Sequence, residues 1–282
     1  MLTIRIAKKF EKRNKKRATI YSWFFCALLS LNYFYNMFKL LAYPLTLIYA
    51  FFFFLTLIFF HPIQWFCFNV LGYKAHKVSV ICLQFWLMRC LNILGTRFTF
   101  TNPYKIDANQ PLIIVANHQS MYDISPLMWY MRKHHPKFIS KKELGKGIPS
   151  VSYNLRHGGS VLIDRNKPLQ SIKMIEEFAQ RVDKNNWSAV IFPEGTRSKT
   201  GKPRPFKTKG MITLFNHMPN AIVVPISINN SWKTLRYGKF PMGLGAHIKF
   251  KVHEPIPVNS KEPNTLAKHV EEIIIKDINY ED

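Results

Sequence analysis

A chain of 282 residues that is 48% hydrophobic and 15% aromatic can build a substantial core, which excludes a disordered protein and leaves room for one domain plus an appendage. Its 40 Lys/Arg against 16 Asp/Glu give a formal charge of +24, unevenly laid down: residues 1–94 hold 12 basic residues and the single acid Glu11, the rest 28 against 15. Basic residues beside apolar sequence point to anionic lipid before nucleic acid, and no nucleic-acid partner is expected.

Residues 1–17 carry eight Lys/Arg and read as a basic cytoplasmic N-terminus, after which residues 18–38 hold no formal charge. A secretory leader is disfavoured, because no small-x-small cleavage site ends the run and a second uncharged stretch, 40–60, follows Lys39 at once. From Pro44 to His61 is 18 residues, a helical rise of roughly 27 Å, close to the thickness of a bilayer core. Both ends are basic, in 4–17 and again at Lys74 and Lys77. The two stretches are therefore expected to form a helical hairpin turning near 36–43, with both ends cytoplasmic. A third apolar stretch, 78–94, with Trp86 placed for the headgroup region, is expected to dock the rest of the chain on the membrane. Residues 18–94 are thus the expected anchor. Cys26, Cys67, Cys82 and Cys90 all lie in this apolar third without a C-x-x-C pair, so neither a disulfide framework nor a zinc site is indicated.

Beyond Gly95 the composition shifts to Pro, Gly and charge, and the apolar runs shorten to strand length. This sets the expected boundary of a catalytic domain over 95–282. Strands are expected at 97–101, 112–116, 137–140, 160–163, 188–192, 221–228 and 246–253. Apolar residues at 169, 172, 175, 178, 179 and 182 mark a helical face, and 263–280 reads as a terminal amphipathic helix. Strands alternating with helices predict an α/β fold: a mixed, largely parallel sheet flanked by helices, carrying the N-terminal membrane hairpin.

The chemistry gathers around the stretch I-V-A-N-H-Q-S-M-Y-D over 114–123. It places His118 in a strand-to-helix loop, where α/β proteins usually put their chemistry. Ten histidines and six aspartates in 282 residues give His-x4-Asp by chance about 0.2 times, so the pair alone is weak. Three further segments each end or flank a predicted strand: G-S-V-L-I-D-R over 159–165, F-P-E-G-T-R-S over 192–198 and V-P-I-S over 224–227. An alcohol is a poor nucleophile at neutral pH. A histidine can take its proton as it attacks, and a carboxylate five residues on can hold the ring and stabilise the imidazolium. His118 and Asp123 suit those roles, as base and positioning acid. In the turn after the strand at 188–192, Gly195 permits close backbone approach, and the Arg197 guanidinium can hold a phosphate by paired hydrogen bonds.

In order and spacing, these four segments resemble the glycerolipid acyltransferase family, whose bacterial archetype makes phosphatidic acid from 1-acylglycerol 3-phosphate. The resemblance covers roughly residues 112–228. It implies transfer of an acyl group from a thioester of coenzyme A or acyl carrier protein to the sn-2 hydroxyl of 1-acylglycerol 3-phosphate, in phospholipid biosynthesis. Lysophosphatidic acid and acyl-CoA or acyl-ACP would be the substrates and membrane phospholipids the surroundings, on the cytoplasmic face of a bacterial inner membrane. No enzyme nucleophile, cofactor or metal is required, because the leaving thiol has a pKa of about 8.5. Backbone N–H groups near the motifs are expected to bind the oxyanion. By the same resemblance Glu194, Gly195, Thr196 and Arg197 bind the acceptor's glycerol phosphate, with Arg165 joining them. Lys141 is similar to a family lysine near the acceptor site, although Lys142 leaves the register open.

Alternatives remain open from sequence. Arg165 could instead serve a salt bridge, and the acid-free run Lys199, Lys202, Arg204, Lys207 and Lys209 could be a solvated face, a headgroup contact or a dock for an acidic carrier protein. Residues 147–159 are more polar than the aromatic stretch often found there in the family, which leaves acceptor and chain-length preference undecided. The acceptor could be another lysolipid or an amino-acid-linked lipid. A reading from another class is a non-catalytic basic protein that binds membranes by charge alone.

Overall fold

The computed structural model describes the backbone of residues 2–280 and the side chains of residues 36–280. The basic segment 1–17 and most of the first apolar stretch lie outside the described side chains. The first helix, α1 (Leu2–Asn69), runs unbroken through 36–43, so the expected turn is not there. The reason is local. N-M-F-K-L-L-A-Y offers no glycine or turn pair, and Pro44 removes one helix hydrogen bond without ending the helix. The chain reverses instead after Asn69, where Gly72 adopts φ +85°, a conformation open to glycine, and α2 (Tyr73–Asn92) packs back on α1.

One stripe of α1, including Ala42, Thr46, Tyr49, Leu57 and Phe60, is buried at helical spacing. Hydrogen bonds fix its seating: Met242 N donates to Thr46 Oγ1 (3.0 Å), Ser150 Oγ to the Leu57 carbonyl (2.6 Å) and Asn69 Nδ2 to Tyr153 Oη (2.9 Å). The outer face is apolar too, with Leu40, Phe51, Phe54, Phe59 and Trp65 exposed beside Trp86 of α2. An apolar surface of this extent marks a partner or membrane face. Residues Asn36–Asn69 are long and apolar enough to cross a membrane.

Eight strands follow: β1 (Arg97–Thr101), β2 (Leu112–Ala116), β3 (Pro136–Lys141), β4 (Val161–Ile163), β5 (Ser188–Ile191), β6 (Ile222–Asn229), β7 (His247–Val252) and β8 (Ile256–Pro257). Seven form one path in the order β1-β7-β6-β2-β5-β3-β4, with β8 paired to β6. All pairings are parallel except β6 with β7 and β6 with β8. The sheet is therefore mixed and largely parallel; β1 to β7 lie where the sequence predicts them to within two residues, whereas the two-residue β8 was not expected.

Side chains alternate across β2, which explains its uninterrupted apolar run. Ile113 and Val115 join α5 (Pro168–Lys184), α6 (Thr208–His217) and α7 (Pro263–Lys276) in a core with Phe178, Leu214 and Val270. Leu112, Ile114 and Ala116 face the other way, against Val80 of α2 and Leu127 and Met128 of α3 (Ile124–Tyr130). Because β2, β5, β3 and β4 are parallel, their C-terminal ends share one sheet edge. That edge carries His118, Glu194, Lys141 and Arg165 on the segments leaving the strands, the usual place for ligands in an open α/β sheet.

Candidate active site

β2 ends at Ala116, and the next four residues are held almost entirely by their own side chains. Asn117, fully buried, pairs with the β6 backbone: Nδ2 donates to the Ile228 carbonyl (2.9 Å) and Oδ1 accepts from Ile228 N (2.7 Å). Gln119 Oε1 accepts from Ser231 N (3.0 Å), and Ser120 Oγ lies 3.3 Å from Thr234 Oγ1. Three of the four polar residues N-H-Q-S thus serve as anchors. His118 is left as the group with chemistry to offer.

A single 3-10 turn, Met121–Asp123, brings the Asp123 carboxylate back under the loop. Its Oδ2 accepts from His118 Nδ1 (2.8 Å), Gln119 N (2.8 Å) and Ser120 N (2.9 Å), and the side chain is fully buried. The bond to Nδ1 fixes the ring's orientation and directs Nε2 away from the carboxylate. The imidazole also stacks on Phe192, ring centroids 4.2 Å apart and planes 18° from parallel. Its side chain is 15% exposed, and among the described residues Nε2 has no partner. A pinned, partly accessible imidazole of this kind can accept a proton from a bound hydroxyl.

Glu194 is 2% exposed and turns inward, with both oxygens engaged rather than open to a ligand. Oε1 accepts from His118 N (2.7 Å) and Oε2 from Arg204 N (3.1 Å), while Ser198 N donates to the His118 carbonyl (2.8 Å). The turn after β5 therefore grips the backbone of His118 at both its N–H and its C=O. Burial pushes the Glu194 carboxyl up to about 7. The sign follows from that shift. Stability from this group is fully present below its ordinary carboxylate range and is lost as pH rises through about 7, while the two N–H donors favour the ionised form and offset part of the burial shift. Glu194→Gln presents an NH2 group to one N–H donor, so kcat is expected to fall roughly ten- to a hundredfold with little change in acceptor KM. Because glutamine does not titrate, the part of any low-pH decline in kcat that comes from protonation of Glu194 should be absent from the variant, while the part that comes from protonation of the base His118 persists. Steady-state kinetics across pH 5.5–8.5 (roughly the range bracketing this titration) check both; a rise in KM alone would return Glu194 to the acceptor site.

Arg165, two residues beyond β4, reaches across to the same turn and donates through its guanidinium to the Gly195 carbonyl. Burial lowers its pKa, the Glu143 carboxylate opposes this and Arg197 adds to it, so the two arginines lie within each other's field. Gly195 takes φ +70°, and the space beside its Cα faces Lys207 Nζ. Thr196 and Arg197 are exposed on this turn. Lys141 is exposed at the end of β3, opposite Ile163 of β4 in the ladder, and its side chain makes no hydrogen bond to the motif residues among the described residues. The structure thus joins His118, Asp123 and Glu194 in one bonded cluster and Arg165, Gly195 and Arg197 in a basic turn beside it, while Lys141 stands apart.

Sequence reasoning missed the anchoring roles of Asn117, Gln119 and Ser120, whose only signal was their adjacency to His118. The expectation of backbone donors near the motifs narrows to particular residues. The N–H groups of His118, Gln119, Ser120, Gly195 and Ser198 are all committed within the fold, which leaves those of Thr196 and Arg197 as uncommitted donors in the turn.

Residues 97–229 match the family model described as acyltransferase. A 1-acyl-sn-glycerol-3-phosphate acyltransferase of Cocos nucifera is 33% identical over 180 residues, 61% of this chain and 56% of that protein. One from Helicobacter pylori is 37% identical over 127 residues, 42% of this chain and 51% of that protein. The chain matches about half the length of these curated relatives. The crystal structure of the 1-acyl-sn-glycerophosphate (LPA) acyltransferase PlsC from Thermotoga maritima superposes with a TM-score of 0.67 at 25% identity, over 86% of this chain and 95% of that one.

Proposed function

We propose, on the premise that residues 97–229 form an acyltransferase-family domain, that this chain moves an acyl group from a thioester to the sn-2 hydroxyl of 1-acylglycerol 3-phosphate. The observation that supports the reading most is the 2.8 Å bond between His118 Nδ1 and Asp123 Oδ2, beside a turn that carries Arg197 and is met by Arg165 from beyond β4. His118 Nε2 takes the hydroxyl proton as the oxygen attacks the thioester carbonyl, and Asp123 stabilises the imidazolium so formed. The tetrahedral intermediate collapses with cleavage of the C–S bond. The departing thiolate then recovers the proton from His118, giving phosphatidic acid and free thiol. The donor is acyl-CoA or acyl-ACP.

Arg165, Gly195, Thr196 and Arg197 hold the acceptor phosphate in this reading, with Lys141 at the margin. Glu194 positions His118 instead. Residues up to 94 form the anchor and 95–282 the catalytic domain. The apolar outer face of α1 and α2 sits in the leaflet, with the domain on the cytoplasmic side, as the basic Lys74 and Lys77 favour. Tyr122 packs edge-on against Tyr49 and Phe53 of α1, so a buried apolar contact ties the His118 loop to the anchor, whose outer face is apolar surface. The acyl chain lies along that surface and avoids crossing water. Arg197→Lys replaces a planar fork with a point charge, so KM for 1-acylglycerol 3-phosphate is expected to rise roughly tenfold with kcat less affected. Initial rates at varied acceptor test this; an unchanged KM would remove Arg197 from the phosphate site.

A further inference from the structure

At the start of β3, on the sheet edge opposite His118, a second cluster of basic groups lines a recess against α2. Lys137 is 6% exposed and has no carboxylate partner among the described residues. Its ammonium lies 5.3 Å from the ring of Tyr73 and 4.9 Å from that of Trp187, two rings stacked 5.4 Å apart. Lys77, Arg132, His76 and His135 line the same recess, and no Asp or Glu does. His76 is 1% exposed, and its Nε2 is buried without a hydrogen-bond partner. Burial, with Lys77 adding to it, pushes the Lys137 pKa down to about 7.

Aromatic faces return only part of the solvation an ammonium loses on burial, and neighbouring cations make the balance worse. The backbone is shaped to keep the arrangement: Gly159 has φ +90°, and a Cβ there would meet the Trp187 ring at 2.8 Å. What the recess lacks is an anion. The exposed apolar residues Val70 and Leu71, in the turn between α1 and α2, and Val78 of α2 flank the lining residues Tyr73, His76 and Lys77 in the chain. An anion at that level is most readily the phosphate of a bilayer lipid.

The geometry points to a second anion site, between α2 and the start of β3, in which Lys77, Arg132 and Lys137 take the phosphate of a membrane-lipid headgroup. It is separate from the arginine-bearing turn after β5 and does not rest on the reading of that turn. The test uses the full chain in neutral detergent and follows thermal unfolding with dihexanoyl phosphatidylglycerol or with inorganic phosphate. In an Arg165→Ala/Arg197→Ala background, which removes the other basic site, the lipid at tenfold over its Kd is expected to raise Tm by about 3 °C or more. Lys137→Met should abolish the rise, and the half-buried Lys77→Gln should weaken the apparent affinity several-fold even if Lys137→Met folds poorly. A rise that survives in Lys77→Gln at unchanged affinity, or one absent from the Arg165→Ala/Arg197→Ala background, overturns the site. An equal rise with inorganic phosphate at the same concentration overturns the assignment to lipid.

Discussion

Replacing His118 by alanine is expected to lower kcat roughly 10²–10⁴-fold, the usual contribution of a positioned general base. The chain should remain folded. The ring is partly exposed, the Glu194 and Ser198 bonds run to the backbone of residue 118, and Asp123 Oδ2 keeps its two bonds from Gln119 N and Ser120 N. The alanine variant should therefore show the circular dichroism spectrum and membrane association of the parent together with almost no thiol release. Turnover within a few-fold of wild type would transfer the base to another group.

Asp123→Asn is expected to cost more in stability and as much in rate. Asp123 Oδ2 serves three donors, while Oδ1 is buried without a hydrogen-bond partner. If the asparagine oxygen takes over the three donors, its NH2 group is buried where no acceptor waits; if it flips, N–H faces N–H. Either way the imidazolium loses its counter-charge. By analogy with the same change in a Ser-His-Asp triad, kcat is expected to fall roughly 10³–10⁴-fold. Tm should fall as well, unlike in His118→Ala. Near-normal kcat with a lowered Tm would make Asp123 a structural carboxylate only.

Seven strands were legible in the sequence because each is a short run that is either apolar, as in β2, β5 and β6, or alternates apolar with polar residues, as in β1 and β7, and β2 is apolar on both faces because helices cover both. α4 (Val151–His157) and α6 were not, since one is seven residues inside a Gly-bounded polar segment and the other follows a basic run that hides its period. The misplaced reversal in the anchor has a similar cause. Apolar composition says how much membrane a segment can fill but not where it bends, and Gly72 carried the stronger turn signal than 36–43. Within the site, residue type identified His118 and its carboxylate, whereas the direction of a side chain is written in tertiary packing. Glu194 reads from sequence as a ligand-binding acid, and only the folded chain shows its two oxygens accepting from the backbone N–H groups of His118 and Arg204. Lys137 looked like an ordinary strand lysine and is caged by Tyr73 and Trp187, which are distant in sequence.

The most direct measurement is a joint count of products from purified full chain given 1-acylglycerol 3-phosphate and an acyl-CoA or acyl-ACP thioester. One free thiol for each phosphatidic acid formed, with no thiol released when the acceptor is omitted, is the result predicted for direct transfer to a hydroxyl activated by His118. Thiol release that proceeds equally without acceptor, or no phosphatidic acid with either donor, would contradict it.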